Sequence, residues 1–308
     1  MTVKFANIKT VIILLISLVL LSGCSLPGLS GPKEKTVTVG TLGTAESAIM
    51  GNMVSLMIEH YTDLQTELIT NMGSSTVQHK AISNGEVDIT ATRYTGTDLV
   101  GALGMDPITD PDKAMKIVKR EFQDRFNQTW FDSYGFANSY AFTVTEELAK
   151  KENLKTVSDL KAIASELRLG VDSAWIRRPA VGYESFKKTY GFKFNRIFPM
   201  SIGLVYKAVE SGEMDVVLAY TTDGRLEAFD LVTLKDNKHL FPPYDASPVA
   251  RNEVLNKHPE LKDILHKLAG KISTKTMRQL NYLANVEMKE PKVVAKDFLE
   301  KHNYFEND

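Results

Sequence analysis

Two tyrosines sit at matching places in two near-copies of one short pattern. The first copy runs Lys80-Ala81-Ile82-Ser83-Asn84-Gly85-Glu86-Val87-Asp88-Ile89 and continues to Tyr94. The second, 127 positions on, runs Lys207-Ala208-Val209-Glu210-Ser211-Gly212-Glu213-Met214-Asp215-Val216 and continues to Tyr220. Each reads as a helix end, a glycine stop and a short buried strand that runs out in a tyrosine. Open α/β sheets bind ligands at the carboxyl ends of their strands. Two such ends facing each other make a cleft lined with aromatic rings. Ring faces carry negative quadrupole density, so the chemistry this implies is the capture of a cation.

The surrounding elements must hold those tyrosines in place. Residues 36–41 read as a strand and 45–61 as a helix with Thr44 as N-cap. Residues 66–70 read as a second strand, 74–83 as a helix stopped by Asn84-Gly85, and 87–92 as a third strand. A helix over 111–126 and a strand over 139–144 follow. The next stretch repeats the plan. A short helix opens at Thr156, then come a strand over 167–172, a helix over 180–190, a helix over 201–211 and a strand over 216–219. Residues 231–234 and Phe241-Pro242-Pro243-Tyr244 read as the return crossing, and 252–302 as a run of helices that packs back on the first lobe. Strands alternating with helices imply an α/β protein with largely parallel sheets. In the 127-residue register Ser74 matches Ser201, so both repeat helices are expected to start on a serine cap. The expected organisation is a lobe from 36–132 plus 237–308, a second lobe from 133–236, and two hinge crossings between them. Helix–Gly–strand units recur in any α/β protein. The argument for duplication is Gly-Glu-x-Asp in both copies with a tyrosine at nearly the same offset.

The first 23 residues read as a signal peptide, with Lys4 and Lys9 before an apolar run too short to span a bilayer. The run ends in Leu21-Ser22-Gly23-Cys24. That motif resembles a bacterial lipobox, which implies cleavage before Cys24, lipidation of its sulfur and a location outside the cytoplasmic membrane. Residues 24–35 are rich in Ser, Gly and Pro and are expected to form a flexible tether. Cys24 is the single cysteine, so no intramolecular disulfide can form. The formal net charge is −1 with acids and bases interspersed, which gives no basic stripe for nucleic acid. His60, His79, His239, His258, His266 and His302 lie far apart, so neither a metal site nor a cofactor is expected.

Several segments together resemble a known family. They are the lipobox, Asn84-Gly85-Glu86-Val87-Asp88, Arg93-Tyr94-Thr95-Gly96-Thr97, Asp132-Ser133-Tyr134-Gly135-Phe136 and Asn138-Ser139-Tyr140-Ala141-Phe142. Two more are Leu218-Ala219-Tyr220-Thr221-Thr222-Asp223-Gly224-Arg225 and Phe241-Pro242-Pro243-Tyr244-Asp245. The chain over 24–308 is similar to the substrate-binding lipoproteins of osmoprotectant ABC transporters, which take up glycine betaine, carnitine, choline and related solutes. The resemblance implies a two-lobed periplasmic-binding-protein fold of the type II kind, a monomer that docks on a membrane permease, and no enzymatic activity. It also implies a four-tyrosine box around a quaternary ammonium group, formed by Tyr94, Tyr140, Tyr220 and Tyr244. For the ligand's polar end the candidates are the Thr97 hydroxyl, Asn138, Ser139 and the helix start at Ser74-Ser75, since helix N-termini suit anions. A neutral hydroxyl at Thr97 tolerates a carboxylate where an aspartate would repel it, which favours betaine- and carnitine-type ligands over a choline-only site. Members of the family often carry a polar residue such as Gln after the first strand; here that place is Leu42.

Other residues have plainer expected roles. Arg93 alternates with Tyr94 and is expected to face away and pair with an acid. Asp223 and Arg225 read as a turn and surface pair, and Trp130 and Trp175 as packing residues. The competing functional classes are an extracellular enzyme or a sensor domain acting on small cationic metabolites. An enzyme needs a nucleophile, an acid–base pair or a metal in motif context, and none is visible.

Overall fold

The computed structural model of the chain describes residues 35–306, apart from Ala174 and Pro179. The expected signal segment, Cys24 and the expected tether up to residue 34 lie outside the described residues.

The first half of the pattern folds as β1 (Thr36–Leu42), α1 (Ala45–Tyr61), β2 (Gln65–Met72), α2 (Ser75–Ser83) and β3 (Ile89–Tyr94). Then come α3 (Thr95–Gly101), α4 (Pro111–Phe126) and β4 (Gln128–Trp130). The second half is β5 (Tyr140–Thr145), α5 (Glu146–Lys151), a 3-10 turn, β6 (Arg168–Asp172), α6 (Tyr183–Tyr190), β7 (Arg196–Met200), α7 (Ile202–Glu210), β8 (Val216–Tyr220), α8 (Arg225–Ala228) and β9 (Leu231–Thr233). The chain ends with β10 (Ala246–Arg251), α9 (Asn252–Lys257), α10 (Glu260–His266), α11 (Thr274–Asn285) and α12 (Pro291–Lys301).

Two five-stranded sheets result, ordered β2-β1-β3-β10-β4 and β7-β6-β8-β5-β9. They share one plan: β1–β3 and β6–β8 are parallel pairs, while β3–β10 and β8–β5 are antiparallel. The sequence pattern missed β7, β4 and β10. These strands are short or lie beside a crossing, so they carry little periodicity.

The repeated Gly-Glu-x-Asp step has a structural job in both sheets. Gly85 and Gly212 hold φ of +78° and +73°, the left-handed turn that ends α2 and α7 at low cost. Asp88 then accepts from Thr38 N at 3.0 Å and Thr38 Oγ1 at 2.9 Å, tying β3 to β1. Asp215 accepts from Arg168 N at 2.7 Å, Nε at 2.9 Å and Nη2 at 2.8 Å, tying β8 to β6. The repeat's acid is thus a register pin between parallel strands. The expected serine caps divide: Ser74 Oγ accepts from Val77 N at 3.2 Å, whereas Ser201 makes no side-chain cap bond.

Each sheet has its own core. Ile49, Met53, Met57 and Ile58 of α1 pack with Val37, Val39 and Ile89 and with the C-terminal helices through Leu261, Met277, Val294 and Phe298. The tail therefore returns to the first sheet as expected. Phe142, Leu169, Trp175, Phe186, Val216 and Phe241 centre the second core. Trp130 and Trp175 are both buried packing residues. The two crossings touch: Ala137 bridges Asp245 antiparallel, and Asn138 N donates to Tyr244 O at 3.1 Å.

Candidate ligand-binding site

A cavity of about 560 Å³ opens between the strand ends of the two sheets. Tyr94, Tyr140, Tyr220 and Tyr244 all line it. Tyr94 ends β3 and Tyr220 ends β8; Tyr140 opens β5 directly opposite Tyr220 in the antiparallel register. The Tyr140 and Tyr220 rings lie 5.0 Å apart with a 34° tilt, and Tyr220 Oη donates to Tyr140 Oη at 3.4 Å. Phe241 backs Tyr140 at 5.6 Å. Burial pushes the phenols of Tyr94, Tyr140 and Tyr244 up, so all three stay neutral at physiological pH.

Two motifs dock on each other to place Tyr244. Thr95 N donates to Asp245 O at 3.2 Å, Thr95 Oγ1 donates to Pro243 O at 2.9 Å, and Gly96 N donates to Pro243 O at 2.9 Å. A Cβ on Gly96 would lie 2.6 Å from that carbonyl, so only glycine admits the crossing this close. The Tyr-Thr-Gly-Thr and Phe-Pro-Pro-Tyr segments are thus two halves of one contact. On the far side of the strand Arg93 forms a buried ion pair with Asp98, whose side chains are 0% and 2% exposed. Arg93 faces away from the cavity and pairs with an acid, as its alternation with Tyr94 predicts.

Of the remaining candidates, Thr97 and Asn138 line the cavity, while Ser74 and Ser139 do not. Ser74 is occupied as the α2 cap, and its neighbour Ser75 reaches the cavity instead. Ser139 is held in the crossing, where its N donates to Thr221 Oγ1 at 3.0 Å and its carbonyl accepts from Thr221 N at 2.9 Å. Leu42 also lines the cavity, so an apolar group stands where a polar one was noted in similar proteins. Asp223 and Arg225 correct the surface reading. They pair at 2.7 Å, but both line the cavity, and the guanidinium stacks 4.0 Å over Tyr206.

Sequence reasoning missed several residues that face this cavity, among them Glu46, Thr222, Asn281 and Arg178. Glu46, in the first turn of α1, is 3% exposed. Its Oε1 accepts from Tyr94 Oη at 2.6 Å and Asn138 Nδ2 at 3.0 Å, and its Oε2 from Asn281 Nδ2 at 3.2 Å. Burial pushes the Glu46 carboxyl up, and these donors partly oppose it. Asn281 also donates to Thr222 O at 2.8 Å, joining α11 to the turn after β8. The fourth residue, Arg178, is exposed at the cavity and places its guanidinium 5.4 Å from the Tyr140 ring. The signal for Glu46 was an acid just after a helix N-cap, which usually marks a solvated residue favoured by the helix dipole. Arg178 follows Arg177 in a loop with no periodicity to orient either side chain.

Residues 35–301 match the family model for the substrate binding domain of the ABC-type glycine betaine transport system. The carnitine transport binding protein OpuCC of Listeria monocytogenes is 54% identical over 303 residues, 98% of this chain and 98% of that protein. The glycine-betaine-binding protein of Pseudomonas aeruginosa is 30% identical over 286 residues, covering 89% and 90% of the two chains. A crystal structure of a glycine betaine/carnitine/choline ABC transporter superposes with a TM-score of 0.86 at 54% identity, covering 88% of this chain and 100% of that one.

Proposed function

The chain belongs to the family of substrate-binding domains of ABC-type glycine betaine transport systems, and from that premise we propose that its tyrosine-lined cavity captures quaternary-ammonium osmolytes, betaine- and carnitine-type zwitterions foremost. The family is one of transport proteins rather than enzymes, and its members hand solute to a membrane permease. The observation that carries the ligand reading is the convergence of Tyr94, Tyr140, Tyr220 and Tyr244 on one cavity from two sheets and a crossing.

A trimethylammonium group carries a full charge and no N–H, so hydrogen bonds cannot recognise it. Ring faces supply negative quadrupole density and apolar contact together, at about 0.5–2 kcal/mol per desolvated ring. Four rings account for much of a micromolar affinity, which corresponds to about −8 kcal/mol. Thr97 and Arg178 support the zwitterion: a neutral hydroxyl and a positive guanidinium can both donate to a carboxylate, and the guanidinium disfavours a ligand that carries only positive charge. Leu42 removes one polar contact from that end of the site.

In this reading lobe I comprises 36–132 with 237–308 and lobe II comprises 133–236. The crossings at 131–139 and 234–245 serve as the hinge for closure on the ligand. Lipidation at Cys24 holds a monomer to the outer face of the membrane. Among the described residues no helix is long and apolar enough to cross a bilayer.

Calorimetric titration of a soluble fragment, residues 25–308, with glycine betaine, carnitine, choline and glycine tests the ligand class. Betaine and carnitine are expected to bind and glycine to fail. Glycine binding as tight as betaine binding would sink the aromatic-box reading, and binding of choline alone would overturn the roles given to Thr97 and Arg178.

A further inference from the structure

We propose that Glu46 is a specificity-determining residue of this site: its carboxylate, set behind Tyr94, supplies the counter-charge that makes the aromatic box select a cation over a neutral group of the same shape. This deepens the ammonium reading above and rests on it.

Glu46 lines the cavity yet is 3% exposed, so its charge acts through a medium of low dielectric. Among the described residues its hydrogen-bond partners are Tyr94, Asn138 and Asn281, none of them basic. A buried carboxylate without a cation carries a desolvation cost that hydrogen bonds only partly offset. The α1 N-terminus contributes about half a positive charge from its peptide dipoles, which also only partly offsets it. A ligand cation in the adjoining cavity supplies the missing charge.

The hydrogen bonds explain why this acid does not simply recruit amines. A carboxylate offers about four lone-pair sites. Three of those on Glu46 are met by Tyr94 Oη and the Asn138 and Asn281 side-chain amides. A cation with several N–H groups therefore finds field but at most one open acceptor, and most of its water shell is lost without replacement. A methylated cation has no such requirement. Glu46 thus contributes charge at the box without a polar surface inside it.

Tyr94 carries the effect forward. A phenol donating at 2.6 Å to a carboxylate is polarised toward the phenolate, which enriches the ring face that meets the ligand. The same bond, with that from Asn138, fixes Tyr94 against the first crossing.

The test compares each ligand with its uncharged-carbon isostere: choline with 3,3-dimethylbutan-1-ol, and betaine with 3,3-dimethylbutanoate. Affinities come from competition titrations on the full chain, wild type and Glu46→Gln. The proposal expects the cation-over-isostere ratio to fall at least tenfold in Glu46→Gln while isostere affinity changes less than about twofold. A ratio that stays constant, with both ligands weakened together, makes Glu46 a scaffold residue and overturns the proposal. Should Glu46→Gln fail to fold, Glu46→Ala, in which water can meet the freed donors, takes its place; its ratio is expected to fall at least tenfold, and an unchanged ratio overturns the proposal equally. Wild-type protein that binds neither choline nor betaine would instead overturn the functional reading on which this rests.

Discussion

Each of the four tyrosines that line the cavity is held by a different contact, so the four are unequal. Tyr94 donates to Glu46, Tyr220 donates to Tyr140, and Tyr244 is set by the docking of Pro243 on Gly96. Tyr220 has the simplest local environment. Its Oη makes one long bond, and it stands at a strand end where its backbone is separately anchored, with its N donating to Tyr206 Oη at 3.0 Å. Tyr220→Ala is therefore expected to weaken betaine binding at least tenfold with little change in Tm; unaltered affinity by calorimetry would remove Tyr220 from the box. At this scale the site was half legible. The tyrosines stand in motifs whose backbone constraints are local: a glycine that admits a carbonyl, a proline pair that fixes a crossing. Glu46 and Arg178 carry no such mark, because an acid in a first turn and an arginine in a loop are ordinary surface residues until packing buries one and aims the other.

The repeat is an element-scale device, and its acid serves strand register rather than the ligand. Asp88 and Asp215 stand at equivalent points and each grips the parallel neighbour of its strand, by Thr38 in one sheet and Arg168 in the other. The Arg168 side chain is the main cause that holds the Asp215 carboxyl below its usual range. The folded state thus binds this proton less tightly than the unfolded state. The stabilisation is complete above the unfolded value, about 3.9, and fades as pH falls through the lowered folded value. Asp215→Asn is expected to cost about 1–2 kcal/mol at neutral pH. The gap in Tm from wild type should narrow below about pH 4, and a gap independent of pH would show that the carboxylate's charge plays no part. The alternation of strands and helices was legible because both periods are written in burial. The strands β4, β7 and β10 were not, since short strands beside turns and crossings show too few alternations to declare themselves.

The two sheets are joined by more than their two crossings. Helix α11 packs on the first core yet meets the turn after β8, where Arg278 Nε donates to Thr221 O at 3.1 Å and Asn281 Nδ2 donates to Thr222 O at 2.8 Å. Gly224 permits this approach: a Cβ there would lie 2.4 Å from Tyr282 Cα. Gly224→Ala should push the two sheets' elements apart at that point, so a several-fold loss of betaine affinity is expected with all four rings intact. Calorimetry reporting wild-type affinity would show that the contact is not coupled to the cavity. The sequence by itself determined the α/β alternation, the duplicated plan and the family motifs, because each is set by local periodicity or by backbone constraints within a few residues; the repeat marked Tyr94 and Tyr220, and the family resemblance pointed to Tyr140 and Tyr244. Tertiary structure alone decided that Glu46 lies behind Tyr94, tied to Asn281, 235 positions away. It also decided that Asp223 and Arg225 face the cavity and that Ser74 and Ser139 do not. Burial of a charge and convergence of distant segments depend on how elements pack, and spacing along one chain carries no measure of that.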